Sequence, residues 1–175
     1  SYSATAALDG ATLDASNHTL TVLGDFEHES FVNLDPTLVF DPSQLVRQER
    51  ALFGIAAEYR GTLLPGLDLQ LSARHDFNDA FEDATTYAAG LSYNFRTGTR
   101  LHAGIGRGVT NPSFFEQFGF NPSSFIGNPN LDPEENFGWD IGIEQTFLDG
   151  RAVIDVTYFN ETLDNEIVTN FDPVT

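Results

Sequence analysis

Apolar and polar residues alternate with period two in segments of about ten residues, separated by turn-forming residues. The clearest segment is Leu67 to Asp76. Leu67, Leu69, Leu71 and Ala73 share one face, and Asp68, Gln70, Ser72, Arg74 and Asp76 share the other. Thr86 to Phe95 repeats the pattern, with Tyr87, Ala89, Leu91, Tyr93 and Phe95 together. Asn136 to Phe147 sets Phe137, Trp139, Ile141, Ile143 and Phe147 against Asn136, Gly138, Asp140, Gly142, Glu144 and Thr146. Weaker alternation predicts strands over Thr19–Phe31, Arg50–Arg60, Arg100–Val109 and Arg151–Asn160, with a short one at Glu166–Phe171. Ser1–His18, small and polar, reads as the end of a preceding strand or loop, with Asp9-Gly10 as a turn. The expectation is an all-β, antiparallel segment of about seven or eight strands.

The connections alternate in length. Long acidic or Pro-rich stretches occupy Val32–Glu49, Phe77–Thr85 and Thr110–Glu135, whereas Gly61–Gly66, Arg96–Thr99 and Leu148–Gly150 are short. One set of strand ends therefore lies on a tight rim and the other beneath large loops. Bacterial transmembrane barrels have this layout, with short periplasmic turns and long extracellular loops.

A soluble antiparallel sheet also alternates, with one face packed and one wet. In bulk water the polar face is usually rich in Lys and Glu. Here it carries Gly90, Gly104, Gly106, Gly138, Gly142, Ser72, Ala88 and Thr146 between isolated charges, which suits a crowded or watery barrel interior. Aromatic residues gather near strand ends on the apolar face, among them Phe26, Tyr93, Phe95, Phe137, Trp139, Phe147 and Tyr158. Girdles at two membrane interfaces have this distribution. A sheet in lipid must close, and the smallest bacterial barrels have about 8 strands, so an arc of a larger barrel is expected.

Composition narrows the function classes. The chain holds 8 Lys+Arg against 26 Asp+Glu, a net charge of −18, which argues against nucleic-acid binding. Hydrophobic residues make up 41%, with 16 Phe, so the acidity does not imply disorder. The absence of cysteine removes disulfides, thiolate zinc sites and cysteine nucleophiles. No apolar run reaches the roughly 18 residues of a transmembrane helix. The chain has no Met and no visible signal peptide, which an outer-membrane protein needs, so an excised piece is expected.

Four elements in order carry a family resemblance. The strand Arg100–Val109 runs into Asn111-Pro112-Ser113-Phe114-Phe115-Glu116. Gly127-Asn128-Pro129-Asn130-Leu131-Asp132-Pro133-Glu134-Glu135 follows. It leads into Phe137-Gly138-Trp139-Asp140-Ile141-Gly142-Ile143-Glu144, then Thr157-Tyr158-Phe159 and Asp164-Asn165-Glu166-Ile167. This stretch resembles the β-barrel of TonB-dependent outer-membrane receptors, with the flavour of the cobalamin-receptor-like branch. The resemblance implies a barrel of about 22 strands, plugged by an N-terminal domain and energised by TonB for uptake of a siderophore, haem, cobalamin or similar scarce nutrient. Residues 1–175 would then be a partial barrel domain without the plug or closing strand. Its partners would be outer-membrane lipid, its own plug, TonB and a small nutrient ligand. The other reading is a porin-like or soluble ligand-binding barrel without TonB coupling.

Candidate chemistry is sparse, and no catalytic, cofactor-binding or metal-ligating set is expected. The carboxylate pairs Glu134-Glu135, Asp76/Asp79 and Glu82-Asp83 lie in loops without a framework that fixes the separation a glycosidase needs. Asp76, Asn78, Asp79, Glu82 and Asp83 could offer oxygen ligands to calcium, but solvated loop charges are the simpler reading. His18, His28, His75 and His102 are scattered over separate strands. Arg74 and Arg100 are expected to pair with interior carboxylates. Gly104, Gly106 and Gly108 lie within a strand, with no helix following as a phosphate loop requires. The candidates for ligand contact are Phe114, Phe115, Phe118, Phe120 and Phe125, on the longest loop. A buried mini-core is the alternative for the same rings.

Overall fold

The computed structural model describes residues 2–15, 17–32, 47–119 and 127–169. They form one antiparallel sheet of eight strands in sequence order: β1 (Tyr2–Ala15), β2 (His18–Phe31), β3 (Gln48–Leu64), β4 (Leu67–Asn78), β5 (Ala84–Asn94), β6 (Thr99–Thr110), β7 (Glu134–Phe147) and β8 (Ala152–Asp164). Each strand pairs with its chain neighbours, an up-and-down meander with no crossover. The helix α1 (Phe114–Phe118) interrupts the loop between β6 and β7.

The register converts the alternation into two faces. Val22, Ala57, Ala73 and Tyr87 lie directly across from one another, and so do Leu101, Ile143 and Val156. Near the loop ends the same face carries the aligned rings of Phe26, Phe53 and Phe77. Trp139 and Tyr158 approach to 5.6 Å between ring centres. Among the described residues no hydrophobic core is buried. Leu20, Ile55, Leu91, Ile105, Ile141 and Val156 are between 40% and 64% exposed. Each such side chain left in water forgoes about 1 kcal/mol. Ten or more together rival the whole stability of a soluble domain, about 5–15 kcal/mol. The face requires an apolar neighbour.

The opposite face is polar and concave. One recess of about 600 Å³ is lined by Arg60, Thr62, Asp68, Gln70, Ser92 and Arg100. A second, also about 600 Å³, lies against Thr21, Glu58, Ser72, Arg74 and Thr86. Val153, Phe159 and Leu163 break the pattern on β8, whose outer edge has no paired strand among the described residues.

Short turns join β1–β2, β3–β4, β5–β6 and β7–β8, all at one end. The connections 32–47, 79–83 and 111–133 lie at the other, as the length rhythm predicts. The middle one is shorter than the sequence suggests, because β4 runs on to Asn78 and β5 starts at Ala84. The β3–β4 turn uses Pro65 and then Gly66, whose φ is 88°. That order suits a type II turn, which needs positive φ at its third position.

Two expectations are corrected. Of the two readings of Ser1–His18, strand or loop, the strand holds over Tyr2–Ala15, where β1 pairs with β2, but Asp9-Gly10 is not a turn. A bulge between Leu8 and Ala11 shifts the register at Asp9-Gly10 and reverses the phase of the apolar positions, so no single alternation runs through the segment. Nor is Glu166–Phe171 a strand in its described part, 166–169. Asn165 turns with φ 57°, and the Ile167 amide donates to Glu134 at 2.7 Å, folding the chain across the end of β7.

A Cβ on residue 66 would lie 2.6 Å from the Asn94 carbonyl oxygen. Gly66→Ala is therefore expected to destabilise the folded barrel by about 1–3 kcal/mol, through positive φ and this collision. Thermal unfolding of the detergent-folded protein checks it, and an unchanged midpoint would refute the turn assignment.

Candidate functional site

Side chains on the polar face organise themselves across strands. Asp25, Gly54 and Asp76 are in register on β2, β3 and β4. Arg74 reaches over Gly54 to Asp25 with two hydrogen bonds of 2.6 and 2.9 Å, and its guanidinium also contacts Asp76 at 2.7 Å. A Cβ at Gly54 would overlap that guanidinium, so the missing side chain is what lets the ion pair span a strand. Arg100 faces Glu144 at 3.6 Å. Both arginines thus meet interior carboxylates, as the sequence suggests.

His102 on β6 lies between two acids. Its Nε2 is 3.1 Å from Asp155 and its Nδ1 is 3.7 Å from Asp140, while Thr157 donates to Asp155 at 2.6 Å. The carboxylates flank opposite edges of the imidazole and do not converge on one point. Among the described residues no group of three or more His, Asp or Glu is arranged to hold a metal ion.

Two acidic residues of the β4–β5 connection accept from backbone amides. Asp79 accepts from the Ala51 amide at 2.8 Å, and Asp83 accepts from the Asn78 amide at 3.0 Å. Asp76 is held by Arg74. The adjacent Glu134 and Glu135 point to opposite faces. Glu134 takes the Ile167 amide, and Glu135 binds Arg107 at 2.7 Å, so the pair cannot flank a sugar.

At the loop end the chain folds back over the polar face. Ser113 caps α1 by accepting from the Glu116 amide, and Glu116 returns a carboxylate to the Ser113 amide at 2.7 Å. This reciprocal box satisfies donors that a five-residue helix would leave open. The Asn128 amide donates to the Glu116 carbonyl at 2.8 Å and ties down the far side of the loop. Phe114 lies 4.4 Å from the Arg50 guanidinium, and its ring centre is 5.7 Å from Phe31 and 6.2 Å from Phe118. Phe115 and Phe118 are 44% and 41% exposed. Phe120 and Phe125 fall outside the described residues. Arg50, Glu29, Phe31 and Phe81 join this cluster and were not candidates from sequence. Arg50 bonds partners 21 and 62 residues away, a separation that leaves no local signal.

Beside this arm lies a cleft of about 730 Å³ between the β4–β5 and β6–β7 connections, lined by Phe81, Glu82, Asp83, Asp132, Glu135 and Arg107. Of the two recesses on the polar face, the one beside Ser72 and Arg74 is lined mainly by apolar groups, among them Leu23, Ala56 and Ala88.

Known proteins share this architecture. A vitamin B12 transporter, BtuB, of Vibrio vulnificus is 28% identical over 129 residues, 73% of this chain and 19% of that protein. BtuB of Photobacterium profundum is 33% identical over 75 residues, 43% of this chain and 12% of that protein. The chain thus spans less than a fifth of the curated relatives it matches. Among solved structures, the ferric enterobactin receptor PfeA of Pseudomonas aeruginosa, in complex with enterobactin, superposes with a TM-score of 0.76 at 21% identity, covering 98% of this chain and 28% of that one. The siderophore receptor PirA of the same organism gives 0.72 at 23% identity, covering 91% of this chain and 30% of that one. The family described as TonB dependent receptor-like, beta-barrel, matches residues 1–175 throughout. This chain belongs to the TonB-dependent receptor family and matches its β-barrel.

Proposed function

We propose that the chain forms part of the wall of a bacterial outer-membrane receptor that takes up a scarce nutrient with energy delivered through TonB. The observation that carries this is the pairing of a bare apolar face with a polar one that carries ion pairs reaching across strands. Lipid is the apolar neighbour that the first face requires, and water, a plug domain and a passing ligand suit the second. The ligand class follows from the relatives, which are named for vitamin B12 and for enterobactin. The exposed rings of Phe115 and Phe118 are the proposed ligand contacts, with Phe114 engaged against the wall. The chain carries out no reaction of its own in this reading.

Two measurements test it. Uptake of cobalamin and ferric siderophores by cells carrying the intact protein is expected to collapse when TonB is removed. Uptake that persists would put the porin-like reading ahead. The two faces are tested by one substitution made twice. Ile141 lies midway along the apolar side of β7, and Ile141→Lys is expected to weaken folding into phospholipid vesicles by about 2–4 kcal/mol. Gln70→Lys, on the polar side of β4 beside Glu58, should change it by less than about 0.5 kcal/mol. Equal losses in urea titrations would contradict the assignment of lipid and lumen.

A further inference from the structure

Pro112 is the one fully buried side chain among the described residues, and Gln117 is exposed by only 9%. In a sheet with no apolar core, the tightest packing therefore lies on a loop. The loop leaves β6 and crosses the polar face to β3, three strands away. Its point of arrival is Arg50. That guanidinium is paired with Glu29 on β2, donates through Nη1 to the Pro112 carbonyl at 2.7 Å, and is faced by Phe114 at 4.4 Å and Phe81 at 5.6 Å. A second tie, in which the Asn111 side-chain Nδ2 donates to Asn78 Oδ1 at 3.3 Å, supports the same crossing. Arg50 is only 17% exposed, so these contacts act where water competes little.

We infer that Arg50 is a positioning residue that pins the 111–118 arm across the loop-side mouth of the barrel. Only a planar, forked cation can do this. One branch holds the wall carboxylate, another holds the arm's carbonyl, and the flat face receives Phe114. With the pin in place the arm narrows the mouth and presents Phe115 and Phe118. Without it, the arm keeps the weaker ties through Asn111 and Asn128 and opens more readily. The inference rests on the receptor reading only for what passes through the mouth.

The test needs no ligand. The sequence has no cysteine, so Gln117→Cys places a unique thiol of this segment at the buried side of the arm. In the intact protein folded in detergent, modification of that thiol by a charged maleimide is expected to be slow. Arg50→Ala should speed it about tenfold or more, and Arg50→Lys, which keeps the charge and loses the fork, should restore only part of the protection. Full protection by lysine, or an unchanged rate in Arg50→Ala, would overturn the pin. If Arg50→Ala does not fold, Phe114→Ala decides on the same scale, since faster modification supports the pin and an unchanged rate refutes it. Failure here leaves TonB-coupled uptake untouched, and TonB-independent uptake leaves the pin untouched.

Discussion

The backbone ladder between neighbouring strands is the constraint on which everything else depends. Seven consecutive antiparallel pairings join the eight strands, and no buried apolar core adds to them among the described residues. In a soluble protein such a sheet would be held by what packs on it. In hydrocarbon the balance reverses, because an unpaired amide costs several kcal/mol and lipid tails are as apolar as leucine. The strands are kept together by the cost of leaving any of their hydrogen bonds unmade. Side chains are then released from packing duty and are free to serve lipid on one side and water on the other.

That freedom explains the polar face. In the proposed reading a charge there faces a confined aqueous space, and several are matched by a residue two strands away. Arg74 with Asp25, and His102 with Asp155, each reach across an intervening strand of the ladder. Small residues make the reach possible, Gly54 most directly. The polar face shares the acidity of the whole chain, since its carboxylates outnumber its arginines. A further group of acids, Glu82, Asp83, Asp132 and Glu135, lines the cleft near the loops.

Much of this was legible from sequence, for a physical reason. Where a strand separates lipid from water, every residue must choose a side, so Leu67–Asp76 and Asn136–Phe147 display their period without ambiguity. The long and short connections display the two ends equally well. Legibility failed where the code changes phase or partners are remote. The β1 strand was hidden by its bulge and by alanines that mark neither side clearly. The aromatic loop was read as a ligand surface or a mini-core, and the structure contains some of each: Phe114 engaged with Arg50 and Phe31, Phe115 and Phe118 exposed. Arg50 opens a predicted strand on its polar side and looks like any interior arginine until the fold brings Pro112 to it.

The sequence contains a single tryptophan, Trp139, on the apolar face of β7 and 5.6 Å between ring centres from Tyr158. Its indole is 39% exposed along the surface that lipid would cover. The tryptophan emission of this segment therefore comes from one place, which in the proposed reading is the boundary between protein and bilayer. Its colour and its quenching by brominated lipid chains follow the depth of β7 alone, with Tyr158 as a nearby donor of excitation energy. The segment carries its own optical depth gauge.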